Sequence, residues 1–356
     1  MHVSALVWAV TLVAIIVIFA VDLLIVGRRP HEPSMRETAI WVAVYVGLAV
    51  VFGVVLVAAY GSRYGGEFFA GWLTEYSLSV DNLFVFVIIM GRFAVPRMLQ
   101  QKALLIGVLL ALLMRGALIA VGAAVVARFV WVFYLFGAFL IYTAITLARQ
   151  RQGGEDDFRE NVVLRWSRRI LPMSAQYDGA RLTTHAEAGG PTGNRSGRRI
   201  FTPMLIVIIA IGTTDLIFAL DSIPAIFGLT TQPYIVFTAN AFALMGLRQL
   251  YFLLGGLLDR LVYLKYGLAA VLGFIGVKLV LDALHGNNVP LINGGEPIEW
   301  APHIPIWLSL VVIVCALGVA TIASLARSLP RQSPRRRNPR HQDLRRRNRH
   351  RRNSCR

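Results

Sequence analysis

Two carboxylates, Glu75 and Asp81, lie six positions apart in the run TEYSLSVDNLFVFVIIM, which is otherwise almost wholly apolar. The arrangement recurs in TTDLIFALDSIPAIFGL, where Asp215 and Asp221 keep the same spacing and Ser222 stands where the first run has Asn82. Acids in such surroundings can hold a cation, carry a proton or neutralise a buried base. Each costs at least ~2.5 kcal/mol at the centre of a bilayer unless it is paired or hydrated, so four of them mark a functional site by default. Arg115, Arg248 and Lys278 are the bases within apolar runs, and three bases fall short of four acids.

On a regular helix six residues turn the chain through 600°, which leaves the members of each pair about 120° apart. Each helix therefore presents one acid to a site and the other to a neighbour, unless the helix is interrupted. Pro224 is the expected interruption, because it has no N–H and frees the Leu220 carbonyl beside Asp221. Ser77, Ser79, Thr213, Thr214 and, one run further on, Asn240 add neutral oxygens. Carboxylate, carbonyl and hydroxyl oxygens without thiolates or buried histidines suit hard cations such as Mn²⁺, Mg²⁺ or Ca²⁺. Glu75, Asp81, Asn82, Asp215, Asp221, Ser222 and Asn240 form the candidate ligand set. Arg115, Arg248 and Lys278 are expected to balance charge and hold the parts of the site in register. A transported ion is implied, and no tightly bound cofactor.

The elements that position these residues are membrane helices. Of the 356 residues 56% are hydrophobic and 15% charged, with a mean hydropathy of +0.61, far from the composition of a soluble domain. Nine apolar stretches are long enough to cross a ~30 Å hydrocarbon core as helices, over 3–26, 38–60, 68–90, 103–126, 129–148, 203–227, 234–257, 266–284 and 304–326. The first lacks the basic leader and cleavage site of a signal peptide and is expected to remain. With the N-terminus outside and the C-terminus in the cytoplasm, 31 of the 36 Lys and Arg fall on the inner side, as cytoplasmic loops require.

The two acid pairs, the arginine one span after each, and a weaker likeness of FGAFLIYTAI to LGFIGVKLVL make spans three to five and six to eight two copies of one unit. Three spans is an odd number, so the copies enter the membrane from opposite sides, a recurring design of secondary transporters with midplane sites. The chain divides into two leading helices (1–60), a first repeat (61–148), a cytoplasmic loop (149–202), an inverted second repeat (203–285), an external loop with the last helix (286–326) and an Arg-rich tail (327–356). The fold class is all-α.

The net charge of +17 resides mostly in that tail, which carries thirteen Arg and one Asp. It is too charged to build a core and is expected to be disordered, attracting anionic lipid headgroups at about 1 kcal/mol per basic residue. No nucleic-acid recognition fold accompanies it. The 149–201 loop is rich in turn residues, and short helices are the most it is expected to hold. Cys315 and Cys355 exclude a disulfide framework within one chain. Asp22, Glu67 and Asp282 fall near span ends, where water can solvate them, and Trp8, Trp41, Trp72, Trp131 and Trp307 read as interface anchors.

EYSLSVDNLFVF, TDLIFALDSIPAIFGLT, NAFALMGLRQLYFLL and YLKYGLAAVLGFIGVKL, in that order, resemble the TerC family of integral membrane proteins, named for tellurium resistance and including Alx-type manganese exporters. The resemblance covers about residues 40–325 and extends to the wider LysE-like transporter group. It implies efflux of Mn²⁺ or a related metal, with Glu75, Asp81, Asn82, Asp215 and Asp221 at its acidic motif positions. Gly212 departs from the pattern, because an acid often stands there in the family. The expected function is divalent-cation export for metal homeostasis or resistance, not enzymatic catalysis. The alternative is a membrane scaffold of a tellurium-resistance or stress response that moves no ion. An Arg-heavy composition suits a bacterium of high G+C content, whose plasma membrane is the expected location. The oligomeric state is not encoded in any of these features.

Overall fold

The computed structural model describes residues 3–28, 34–129, 131–149, 183–185, 199–254, 263–287, 296, 298, 302 and 304–328. Its helices are α1 (Ala5–Arg28), α2 (Met35–Tyr60), α3 (Ser62–Arg92), α4 (Arg97–Arg128), α5 (Val132–Arg149), α6 (Pro203–Phe227), α7 (Pro233–Met245), α8 (Leu247–Leu254), α9 (Leu264–His285) and α10 (Ile306–Ser328). Among the described residues nine spans are long and apolar enough to cross a membrane, α7 and α8 together making the seventh. The tail beyond Ser328 and most of the 149–201 loop lie outside the described residues. The described part of that loop is not helical. Strands β1 (Thr183–His185) and β2 (Arg199–Phe201) pair antiparallel with Thr183 opposite Phe201.

Local chemistry sets several boundaries. Ser34 caps α2 by accepting from the Glu37 N–H at 3.2 Å. Gly61, at φ 98°, reverses the chain between α2 and α3 in a single residue, a conformation open chiefly to glycine. The third helix starts six residues before the expected 68, and Gly65 within that added length is a contact residue. A Cβ there would lie 2.2 Å from Val57 Cγ2 and 3.3 Å from the Gly53 carbonyl, so glycine lets α3 lie directly on α2.

Packing follows the expected repeat. α3 packs on α7, and α4 packs on α6, so the first helix of each copy lies against the second helix of the other. The two third helices, α5 and α9, make the most extensive contact in the molecule. Reciprocal and self-paired contacts of this kind are what two copies related by a two-fold axis produce. At the α5/α9 contact a Cβ on Gly137 would stand 2.8 Å from the Gly276 oxygen, and one on Gly276 would stand 2.9 Å from the Gly137 oxygen. The two backbones touch because neither position carries a side chain. The leading helix α1 is peripheral and meets α4 and α7.

Two expectations about helix continuity are corrected. Pro224 does not break its helix: α6 runs on to Phe227. With the end only three residues away, the donor that proline removes belongs to the last turn. The break falls at Gly246, which splits the expected 234–257 span into α7 and α8 two residues before Arg248. Residues 255–257 of that span lie outside the described residues.

Candidate functional site

Arg115 sits midway along α4 and is fully buried, the largest side chain among the described residues to be so. Its long stem crosses the apolar interior, and its planar fork of donors finds acceptors from both copies. Nε donates to Asp215 Oδ2 at 2.8 Å and Nη2 to Asp215 Oδ1 at 3.1 Å, a two-pronged grip from α6. Nη1 donates to Glu75 Oε1 of α3, to Ser222 Oγ of α6 at 3.2 Å and to Asn240 Oδ1 of α7 at 3.4 Å. Four of the seven residues expected to hold a cation thus surround a guanidinium. The arginine bridges Glu75 of the first copy and Asp215 of the second.

Tight packing of α4 on α6 delivers this geometry. A Cβ at Gly107 would meet Ile211 Cγ2 at 2.5 Å, and one at Gly212 would meet Leu110 Cδ2 at 2.6 Å. The space an acid would need at position 212 is therefore filled by Leu110.

The second member of each acid pair behaves differently, as a turn of about 120° requires. Asp81 and Asp221 are half-buried, whereas Glu75 and Asp215 are fully enclosed. Neither Asp81 nor Asp221 forms a close ion pair with a base among the described residues, although Lys265 acts on Asp81 through space and Arg115 on Asp221. Asp81 shares its partly open stripe with Ser77, Val80, Phe84, Val85 and Ile88, and Asp221 continues the exposed stripe of Ile217 and Leu220. A carboxylate on such a stripe is costly against lipid and tolerable against water or another polar group.

On the residues that bond the guanidinium, Glu75 Oε2 and Asn240 Nδ2 are buried without a partner among the described residues, and so is Ser79 Oγ on α3. Ser79 lies one helical turn from Glu75 on α3, on the same face. Asn82 is buried on α3 but is not drawn into the arginine's shell. No group of three or more His, Cys, Asp or Glu with metal-holding geometry occurs among the described residues.

The other bases depart from the expected register role. Arg248 Nη2 bonds Asp22 Oδ1 at 2.5 Å, which ties α8 to the leading helix and not to the other copy. Lys278 stays within the second copy, donating to the Gly228 carbonyl at the end of α6 at 2.7 Å and to Asp282 at 3.0 Å. A cation at a helix C-terminus answers the partial negative charge there. Asp22 and Glu67, set aside as solvated, are instead 8% and 5% exposed. Glu67 accepts from Thr230 at 2.5 Å and from Arg63 at 3.1 Å. Trp72, expected at an interface, is buried against Tyr76. Nothing in the local sequence flags the Asp22–Arg248 pair, whose partners stand 226 residues apart.

Comparison with known proteins agrees with this architecture. Residues 60–332 match the family described as "Integral membrane protein TerC family". The chain is 47% identical over 327 residues to "Uncharacterized membrane protein Rv2723" of Mycobacterium tuberculosis, covering 91% of this chain and 80% of the relative. It is 38% identical to "Uncharacterized membrane protein STKORF319" of Myxococcus xanthus, over 90% and 92% of the two chains. It is also 38% identical to "Putative membrane-bound redox modulator Alx" of Escherichia coli K12, over 79% and 88%. No solved structure matches the chain.

Proposed function

Because the chain belongs to the TerC family of integral membrane proteins, with residues 60–332 spanning the family match, we propose that it is a secondary transporter exporting a divalent cation, with Mn²⁺ as the leading substrate. The observation that carries this reading is the meeting of one buried carboxylate from each repeat, Glu75 and Asp215, on a single guanidinium, that of Arg115. Acid in excess of base inside a membrane needs a further cation to balance it. Asp81 and Asp221 are the first contacts for that cation, being partly open and unpaired with arginine. Glu75, Asp215, Ser222 and Asn240 complete its shell once Arg115 releases them, and Asn82 lies beside Asp81. The ligand atoms are all oxygens, which favours Mn²⁺ or Mg²⁺ over soft metals.

Two inverted copies packed reciprocally are suited to alternating access, in which one copy rocks against the other about a central site. In this reading the N-terminus faces outward, the C-terminus and basic tail lie in the cytoplasm near anionic lipid, and the membrane is the bacterial plasma membrane.

The test is ⁵⁴Mn²⁺ flux in liposomes containing the purified protein. The transporter reading expects protein-dependent flux that disappears in an Asp81→Asn, Asp221→Asn double variant. A scaffold would leave the vesicles as tight as protein-free ones.

A further inference from the structure

Arg115 does not simply lie near the proposed cation site; it occupies it. Every nitrogen of its guanidinium is bonded to an oxygen of Glu75, Asp215, Ser222 or Asn240, and these oxygens come from three helices and both repeats. The enclosure has more oxygen than the arginine uses, since Glu75 Oε2 is buried without a partner among the described residues. A site built solely to neutralise an arginine would need one carboxylate and would leave no acceptor over.

We propose that Arg115 is a tethered counter-cation that fills the substrate site of the unloaded carrier and is displaced when the divalent cation binds. This rests on the transport reading above and adds to it a mechanism for the empty half of the cycle. Without a cation, Glu75 and Asp215 would face each other unneutralised at the centre of the membrane, and the unloaded carrier could not switch sides without carrying two buried negative charges. The guanidinium removes that cost from within. It is also a competitor: substrate must outbid a cation fixed in place by its own helix. Weak ions that bind one carboxylate fail to do so, whereas a divalent cation held by both acids succeeds. Arg115 thereby sets a threshold of charge and coordination for entry to the shell.

The test compares wild-type protein with Arg115→Ala and Arg115→Lys in liposomes, reading Mn²⁺ affinity by equilibrium binding of ⁵⁴Mn²⁺ and two kinds of flux. Arg115→Ala is expected to bind Mn²⁺ at least tenfold more tightly, to lose net efflux into Mn²⁺-free buffer and to keep exchange of internal for external Mn²⁺. Millimolar guanidinium chloride should lower Mn²⁺ binding to Arg115→Ala and leave wild type unaffected, while Arg115→Lys should stay near wild type in affinity. An Arg115→Ala protein with unchanged or weaker Mn²⁺ binding overturns the proposal. If that variant fails to fold, wild type decides: phenylglyoxal labelling of Arg115, read by mass spectrometry, should rise on saturation with Mn²⁺, and labelling indifferent to Mn²⁺ overturns the proposal. A wild-type protein that neither binds nor carries Mn²⁺ defeats the transport reading itself, which separates the two failures.

Discussion

At the scale of single residues, identical spacing leads to unequal roles. Glu75 and Asp215 are enclosed and bonded to Arg115, while Asp81 and Asp221, six positions later, are partly open and unpaired with arginine. Asp221→Asn alone is expected to reduce Mn²⁺ efflux to background while the protein still inserts, as measured by intracellular Mn²⁺ in a deletion strain carrying the variant and by its abundance in the membrane fraction. A structural prediction comes from Asp22. Removing one partner of a buried pair leaves the other charge stranded, at a cost of about 3–5 kcal/mol. Asp22→Ala should therefore lower the melting temperature in detergent sharply, and Asp22→Ala combined with Arg248→Met should recover part of the loss. The acid pairs and Arg115 were legible in the sequence because charge inside an apolar run stands out locally. The partners of Arg248 and Glu67 were not, because Asp22 and Thr230 lie more than a hundred residues away and each is unremarkable in its own segment.

At the scale of elements, hydropathy found all nine spans because the bilayer requires each to be long and apolar, and that requirement is written residue by residue. Helix breaks were less legible. Proline announces a lost hydrogen bond, yet at position 224 the loss falls in the final turn of α6. Gly246 announces nothing in particular and yet divides α7 from α8. The Gly137/Gly276 contact carries the strongest expectation at this scale. Gly276→Val would force α5 and α9 apart against backbone atoms, and overpacking of this kind typically costs about 1–3 kcal/mol. Reduced thermal stability in detergent together with reduced flux is the expected result. Gly47→Ala, at a position with nothing within 4 Å of the added carbon, should change neither.

At the scale of the whole molecule, the proposed machinery lies within the two repeats, and the basic tail is proposed to serve topology and the lipid surface. Truncation after Ser328 is expected to leave ⁵⁴Mn²⁺ flux per inserted molecule unchanged, while reducing binding of detergent-solubilised protein to vesicles rich in anionic lipid. Among the contacts of the six repeat spans, two kinds have different consequences. The α3/α7 and α4/α6 seams exchange places under the symmetry, so a substitution that loosens one of them prises open a single face and leaves a carrier that favours release over capture, or the reverse. The α5/α9 contact is its own counterpart, and the bare backbones meeting there serve as a fulcrum. In the exporter proposed above, damage at that point would not tilt the carrier toward either side; it would let both doors stand ajar together and turn export into a leak.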